Sequence, residues 1–298
     1  MNIMINKVIE NIAPHAKHNG IFTTFIEGLE VIRSDCLTEE LHTLHEPAVC
    51  VVLQGKKRVI IGQEIFDYDS TKYLSISFDL PLTGQVLEAS KEKPYLCLKL
   101  NIDTALLSKL VMEVENIKSV NPSQEPGLNV QNATEDLLDS LSRLTSLLNH
   151  PEDIEILALS IKREVFYRIL SGPGGYHLKA QVLGVGKSKQ IEKAIAWIKA
   201  NFKKPFNTEL AAREACLSVS TFHKYFKLIT LMSPLQFQKT LRLQEARRLM
   251  MFEKMDAASA GGIVGYESPS QFNREYKRAF GASPKADVSR LINESTFN

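Results

Sequence analysis

Long hydrophobic runs are missing from this chain of 298 residues. No segment approaches the roughly 18 uncharged apolar residues that a membrane-spanning helix needs, so we expect no membrane partner. Residues 1–20 also lack the apolar core and the small-residue cleavage site of a secretory signal. Both absences favour the cytoplasm as the location of the protein.

Cysteine is scarce, and its spacing carries no motif. There is no CxxC pair and no histidine set at zinc spacing around the cysteines. We therefore expect small buried side chains in a reducing compartment, while a redox-sensing pair has no support in the spacing. The four positions are Cys36, Cys50, Cys97 and Cys216.

The two signs of charge are unevenly distributed along a chain whose net charge is only +2. Residues 180–298 hold 19 Lys+Arg and 10 Asp+Glu, a net charge of +9, which leaves residues 1–179 at −7. A basic half joined to an acidic half suggests that one part meets a polyanion. A chance imbalance of solvated faces is the alternative, and charge alone does not name the polyanion.

Short strand-like segments occupy residues 22–100. Ala48–Leu53 is an apolar, β-branched run that ends at a Gln-Gly turn signal. Such strands at regular spacing predict a small antiparallel barrel or sandwich. Four more runs follow, separated by Asp, Ser, Gly and Pro: Arg58–Gly62, Glu64–Tyr68, Tyr73–Phe78 and Tyr95–Leu100.

Helical spacing replaces the strand pattern after residue 103. Thr104–Val114 and Ile154–Leu170 are amphipathic, and the polar segment Asn116–Asn132 indicates a loop. Ala133–Leu148 carries a stripe of five leucines that either packs on the strands or pairs with its copy in a second subunit; periodicity does not distinguish these. The stripe consists of Leu137, Leu138, Leu141, Leu144 and Leu148.

Glycines mark a boundary between two domains. Ser171–Gly175 reads SGPGG, and Gly184 and Gly186 follow it. We therefore predict a first domain over residues 1–170, a linker over 171–188 and a second domain over 189–292.

The C-terminal region contains an internal repeat with a period of 50 residues. Ser218–Pro234 aligns without gaps to Ser268–Pro284, with six identities and one aromatic pair in 17 positions. Each copy is preceded by a helix of small residues, Glu209–Ala215 in copy one and Ala257–Ile263 in copy two. A short turn and a serine-initiated helix follow, which together predict two helix-turn-helix units.

Several residues suit the ends and turns of these predicted helices. Asp256, and either Asn207 or Thr208, are candidate N-caps. Gly265 is able to adopt a positive φ, and Pro269 stands at a favourable first helical position. The segment between the copies, residues 234–252, predicts one long helix that holds the two second helices about 34 Å apart, the spacing of successive major grooves.

The second helix of each copy predicts a DNA-reading face. Its aromatic residues at i and i+4 point inward, so the intervening side chains point outward, where they are able to bond base edges and phosphates. Lys227 and Lys277 suit phosphate contact; ordinary solvated faces are the alternative. The outward residues are Ser220, Thr221, His223 and Lys224 in copy one, and Ser270, Gln271, Asn273 and Arg274 in copy two.

These residues resemble the AraC/XylS family of bacterial transcription regulators. The family signature is followed closely by Gly262–Ser268 and Gln271–Pro284, and the resemblance covers roughly residues 189–292. Copy one departs from it, because Thr230-Leu-Met-Ser-Pro stands where the family has Thr-Gly-x-Ser-Pro. Leu231 or Met232 therefore fills the position of the turn glycine. The resemblance places the outward residues at the family's base- and phosphate-contacting positions.

The N-terminal half is similar to the effector-binding half of some members of this family. His45–Pro47, Val51–Lys56 and Ser77–Pro81 carry the likeness. It implies an α+β chain, in which a cupin-like β-barrel with trailing dimerisation helices precedes an all-α domain with two helix-turn-helix units. Double-stranded DNA is the implied partner, with a small-molecule effector, RNA polymerase and a second copy of the chain as further candidates. The effector, the operator and the choice between activator and repressor stay open.

A cupin-type enzyme with an accessory DNA-binding domain is the alternative function. His42, His45 and Glu46 precede the apolar strand, but the HxH…E…H ligand set of metal-binding cupins is absent. GxSxG, HExxH, P-loop and GxGxxG motifs are missing as well. We therefore expect a sequence-specific transcription factor without a metal, a cofactor or catalytic residues.

Overall fold

A computed structural model describes residues 2–113, 126–172, 175–183 and 187–296. The chain divides into two compact units. The N-terminal unit comprises residues 1–41, 45–189 and 228–231, and the C-terminal unit comprises residues 42–44, 190–227 and 232–298. No helix in the described ranges is both long enough and apolar enough to span a membrane.

The described strands form two sheets, with the strand orders β1-β2-β9-β4-β7-β10 and β3-β8-β5-β6. The registered pairings are antiparallel. The strands are β1 Gly20–Thr23, β2 Leu29–Ser34, β3 Leu41–His45, β4 Ala48–Gln54, β5 Lys56–Ile61, β6 Glu64–Asp69, β7 Lys72–Ile76, β8 Leu80–Glu88, β9 Tyr95–Asn101 and β10 Leu128–Asn132.

The α+β class is confirmed, but the described strands do not close into one barrel. The chain passes from the larger sheet to the smaller one between β4 and β5, at Gly55. The φ of Gly55 is 82°, and a Cβ there would lie 2.3 Å from the carbonyl oxygen of Glu88. The tight turn at this glycine allows consecutive strands to enter different sheets, so the strands form two layers, as in the sandwich alternative.

Strand β4 is apolar along its whole length because both of its faces are covered. Val49, Val51 and Leu53 belong to the core that includes the helices of the N-terminal unit. Cys50 and Val52 point to the opposite face, and they are equally buried. A strand covered on both sides needs no polar alternation, which explains the run AVCVVL.

Five α-helices complete the described part of the N-terminal unit. The leucine stripe of α3 lies entirely within the core and packs next to α1 and α4, so the first of its two interpretations holds. Helix α5 lies inside the predicted linker, and its Leu178 is part of the same core. The helices are α1 Asn2–Ile12, α2 Thr104–Glu113, α3 Glu135–Ser146, α4 Pro151–Ser171 and α5 Gly175–Leu183.

One predicted loop proves to be partly a strand. Leu128–Asn132 was included in the polar segment 116–132, but it pairs with β7 in regular antiparallel register. The neighbouring strand supplies its hydrogen-bond partners, a long-range effect that local polarity does not reveal. Residues 116–125 of that segment lie outside the described residues, as do the predicted helix end at Val114 and the glycines 184 and 186.

The C-terminal unit is helical, as the sequence predicts. Its helices are separated by short turns, and several of them begin directly after a capping side chain. They are α6 Ser188–Asn201, α7 Thr208–Glu214, α8 Val219–Thr230, α9 Pro234–Phe252, α10 Ala257–Ile263, α11 Pro269–Phe280 and α12 Pro284–Thr296.

Candidate nucleic-acid interface

Two helix-turn-helix units lie in the C-terminal unit, formed by α7 with α8 and by α10 with α11. Their first helices begin at equivalent caps. The Asn207 side chain accepts from the backbone N–H of Leu210 at 2.8 Å, so Asn207, and not Thr208, is the cap. The Asp256 carboxylate accepts from the N–H groups of Ala258 and Ser259 at 2.9 and 3.0 Å. Each cap satisfies backbone donors that the first turn leaves unpaired.

The turns of the two units have the same hydrogen bonds, at an offset of 49 residues. Leu217 N–H donates to the carbonyl of Ala212, and Tyr266 N–H donates to that of Gly261, both at 2.9 Å. The second helices are offset by 50 residues, because Ser218 and Ser268 both precede them. Copy two therefore contains one extra turn residue, Glu267, which lies just before the part that aligns without a gap.

Both turns require a left-handed residue, and only one copy provides a glycine. The φ of Gly265 is 96°, and that of Cys216, at the equivalent position, is 53°. The turn after the second helix repeats this contrast, with φ values of 76° at Gly281 and 56° at Leu231. Copy one therefore keeps the turn geometry at Leu231 with a side chain that disfavours it.

Small residues in the first helix allow the second helix to approach closely. A Cβ at Gly261 would lie 3.0 Å from Cγ of Phe272, so a methyl group would already be crowded there. Ala212 holds the equivalent position and is buried. This agrees with the predicted role of the small-residue helices.

The aromatic residues of the second helices are buried, as their spacing predicts. Phe222 contacts Phe226 with ring centroids 5.4 Å apart, and Phe272 contacts Tyr276 at 5.5 Å, both edge to face. The four side chains are fully buried. They fix each helix with its opposite face towards solvent.

The structure places nine of the ten predicted contact residues at the surface and leaves Thr221 half-buried. Three of the ten are hydrogen-bonded to neighbouring side chains in the described part of the chain. Thr221 accepts from the Ser218 hydroxyl at 2.8 Å, the Ser220 hydroxyl lies 3.3 Å from that of Ser218, and Gln271 donates to Glu275 at 3.2 Å. The nine exposed residues are Ser220, His223, Lys224, Lys227, Ser270, Gln271, Asn273, Arg274 and Lys277.

The long helix between the copies is present, and its 19 residues span about 28 Å. Its Arg242 is occupied by structural contacts. The guanidinium donates to the carbonyls of Phe202 and Lys204 at 2.6 Å and of Gly265 at 2.9 Å. Arg242 therefore ties the turn of copy two to the end of α6.

A buried ion pair joins α9 to α12. Arg247 donates to both carboxylate oxygens of Asp287 at 2.8 and 2.9 Å, and the two residues are 7% and 0% exposed. The Tyr276 hydroxyl also donates to Asp287, at 2.8 Å. Burial, together with this bond to a carboxylate, raises the pKa of Tyr276. Through its bond to Tyr276, Asp287 also fixes the position of α11.

A second carboxylate, that of Glu275 on α11, accepts three hydrogen bonds from neighbouring side chains. It accepts from Lys239 at 2.7 Å, from the Tyr266 hydroxyl at 2.9 Å and from Gln271 at 3.2 Å. Burial alone would raise the pKa of Glu275, but these donors together hold it below its ordinary value. In the sequence, only the i, i+4 spacing of Gln271 and Glu275 points to this cluster.

The interior of the N-terminal unit contains polar groups as well. The hydroxyls of Tyr68 and Tyr95 are fully buried and lie close to each other, and that of Tyr95 also lies close to the Cys97 thiol, but neither hydroxyl makes a well-aligned hydrogen bond. On β5, the Lys57 side chain lies over Gly84, where its Nζ is 3.5 Å from the position of a Cβ. Uncompensated buried hydroxyls are unfavourable.

The structure shows the surroundings of His45, one of the residues considered for a metal site. His45 lies beside the carbonyl of Glu46, with 2.7 Å between Nδ1 and the oxygen. Burial lowers the pKa of His45 to about 4, so its ring is neutral at pH 7. Among the described residues, no group of three or more His, Cys, Asp or Glu side chains could hold a metal ion.

Comparisons with known proteins match both units. Residues 25–177, about half of the chain, match the AraC-type transcriptional regulator N-terminus. The chain belongs to the AraC family of transcriptional regulators. Residues 211–290 match a helix-turn-helix domain model, which covers both repeat copies.

Similar proteins include curated regulators and a solved structure. ArgR of Pseudomonas aeruginosa is 24% identical over 157 residues, 53% of this chain and 48% of ArgR, so the chain spans about half the length of that relative. The virulence regulon activator VirF of Yersinia enterocolitica is 22% identical over 265 residues, 86% and 95% of the two chains. Unsaturated fatty acid-bound ToxT of Vibrio cholerae shares the fold, with a TM-score of 0.55, 9% identity and 87% and 94% coverage.

These matches are to transcriptional regulators, and the enzyme alternative finds no support among them.

Proposed function

We propose that this AraC-family protein regulates transcription by inserting α8 and α11 into successive major grooves of double-stranded DNA. The observation that supports this most is the pair of helix-turn-helix units with matching hydrogen bonds, each with an exposed polar face. We assign DNA binding to residues 189–292, effector binding and dimerisation to residues 1–170, and the link between them to residues 171–188. With DNA as its partner, the protein would act in the cytoplasm.

The contact residues divide by chemistry. Lys227, Lys277 and Arg274 form no ion pair within the described part of the chain, so their charges are available to phosphates or bases. Serine is common to both copies at positions 220 and 270, while the other groove-facing side chains differ. We therefore propose that each chain reads an asymmetric site, with different bases under α8 and α11.

Selection of DNA from a random pool by the purified full-length protein tests this function. We expect one enriched motif, and affinity for it that falls steeply as salt rises. Absence of any enriched sequence, or binding that does not respond to salt, would contradict the proposal. Lys227→Ala and Lys277→Ala should each weaken binding to all sequences and reduce the salt slope by about one.

We propose that a small-molecule effector binds in the N-terminal unit. The buried hydroxyls of Tyr68 and Tyr95 make no well-aligned hydrogen bond and offer donors to such a ligand, and the half-buried Lys57, which pairs with Tyr68 across β5 and β6, offers one positive charge. ToxT, which has the same fold, is known with a bound unsaturated fatty acid. An effector would change DNA affinity only if it prefers one arrangement of the two units. DNA-affinity measurements of Tyr68→Phe and wild type across a ligand panel would test the site.

We propose that α4 pairs with the α4 of a second copy, since the leucines of α3 are already buried. Ile156, Leu159 and Tyr167 form one exposed stripe on α4, with 74%, 57% and 40% of their surface accessible. In an antiparallel pair, Ile156 faces Leu159 of the other copy and Glu152 faces Arg163, so apolar and charged contacts both match. Bound beside a promoter, such a dimer would contact RNA polymerase and activate transcription. The relative VirF is named as a transcriptional activator.

A further inference from the structure

The same four-residue motif begins two helices of the C-terminal unit and adopts two arrangements. Ser233–Gln236 reads SPLQ at the start of α9, and Ser268–Gln271 reads SPSQ at the start of α11. In both, the serine side chain accepts from the glutamine backbone N–H at 3.3 Å. The sequence pattern predicts a capping box in each case.

Only the glutamine of α9 follows that prediction with its side chain. Gln236 Oε1 accepts from the backbone N–H of Ser233 at 3.1 Å and completes the box. The amide of Gln271 instead reaches along the helix, where its Nε2 donates to Glu275 at 3.2 Å. Four residues after Gln236 the chain has Thr240, whose hydroxyl donates to a backbone carbonyl. The residue at i+4 therefore decides where the glutamine points.

Glu275 is itself held from two other elements. Lys239 of α9 donates to the same carboxylate oxygen that Gln271 binds, and Tyr266 of the turn donates to the other. Only 9% of the Glu275 side chain is exposed. A carboxylate accepts hydrogen bonds and does not donate them, so the amide of Gln271 faces it with nitrogen, and the flipped amide would place oxygen against oxygen.

We propose that Glu275 is a positioning residue for DNA recognition, which fixes the amide of Gln271 so that it reads adenine. One N–H of the amide is bonded to Glu275, so the second N–H and Oε1 stay available for DNA. This donor and acceptor match N7 and N6 of adenine in the major groove. The inference rests on the proposed function, because it requires α11 to enter the groove.

Copy one has no equivalent glutamine–glutamate pair. Its residues at the corresponding positions are Thr221 and Tyr225, and Thr221 is bonded to the Ser218 hydroxyl. The adenine preference is thus specific to the half-site under α11.

Selection from a random DNA pool with full-length variants tests the inference. The variants are Gln271→Ala, Glu275→Leu, the double variant, and Lys239→Met as a control that removes another partner of Glu275 but not the amide contact. We expect wild type to enrich a motif with adenine at one position. Gln271→Ala and Glu275→Leu should each lower the preference for adenine there by on the order of tenfold. The double variant should lose no more than either one, since both remove the same contact.

Each other outcome contradicts a stated part of the argument. Independent losses in the double variant, an equal loss on all sequences, or the same loss in Lys239→Met would overturn the role of Glu275 while leaving DNA binding intact. No enriched motif for wild type would overturn the proposed function and this inference together. If Glu275→Leu does not fold, Glu275→Gln decides, because it keeps an acceptor oxygen: retained adenine preference supports the inference, and its loss overturns it.

Discussion

Substitutions at the two equivalent left-handed turn residues, Gly265 and Cys216, should change stability in opposite directions. Gly265→Ala would place a Cβ 2.0 Å from the carbonyl oxygen of Lys203 at a φ of 96°, so the turn would have to deform. We expect it to lower the free energy of unfolding by at least about 2 kcal/mol. Cys216→Gly removes a side chain from the equivalent conformation, and we expect it to raise stability by up to about 1 kcal/mol.

Chemical denaturation of the two variants beside wild type measures both effects. A Gly265→Ala protein as stable as wild type would contradict the backbone conformation of the turn. Gly262→Ala is the matched control, since a Cβ at Gly262 meets no atom within 4 Å.

The buried tyrosine hydroxyls give a second prediction at the residue scale. Tyr68→Phe removes a buried oxygen that makes no well-aligned hydrogen bond, so we expect the stability of the free protein to stay equal or to rise slightly. Thermal unfolding of Tyr68→Phe beside wild type measures the difference in stability. A loss of about 1 kcal/mol or more would mean that the hydroxyl makes a hydrogen bond in the free protein, and the argument for an effector contact would fail.

At the scale of elements, α12 depends on one buried ion pair. Asp287→Ala leaves Arg247 buried without its carboxylate and removes the partner of Tyr276. We expect the free energy of unfolding to fall by about 3–5 kcal/mol. Arg290→Ala is the control, because that side chain is 42% exposed and its ion pair with Asp287 should contribute less than about 1 kcal/mol.

The cluster around Glu275 predicts a dependence of stability on pH. Its pKa is lowered in the folded protein from an ordinary value of 4.5. It therefore adds stability that is fully present above about pH 4.5 and is lost as pH falls through the lower folded value. Glu275→Gln should be less stable than wild type near pH 7, and the difference should shrink below pH 4.5. A difference that does not change with pH would contradict this.

The elements also show which features local sequence carries. The repeat, the caps and the buried aromatic residues of α8 and α11 follow from spacing and side-chain chemistry within a few residues. The pairing of β10 with β7 does not, since its partner lies about fifty residues away. The spacing predicts the position of Gln271, but its side chain points towards Glu275, and Glu275 has two further partners, Lys239 and Tyr266, that only the tertiary structure brings together.

At the scale of the whole molecule, the leucine stripe of residues 133–148 fits one of its two interpretations, packing within the domain core. A stripe of leucines indicates burial but not the identity of the covering surface. The structure shows that the domain core already covers it, and that the exposed apolar residues stand on α4. Helix α4 buries one face and leaves Ile156 and Leu159 exposed on the other. Periodicity alone does not predict that these residues are the ones available to a second copy.

Association through α4 should couple oligomeric state to DNA affinity. Leu159→Glu places a carboxylate opposite Ile156 of the other copy, next to the acidic Glu152, so we expect sedimentation to show a monomer at concentrations where wild type is a dimer. Binding to two adjacent copies of the selected motif should then weaken, while binding to a single copy stays unchanged, because only the paired site benefits from linked binding. Ile65→Glu, at another exposed apolar position on β6, should alter neither measurement. A Leu159→Glu protein that remains dimeric would rule out α4 as the interface.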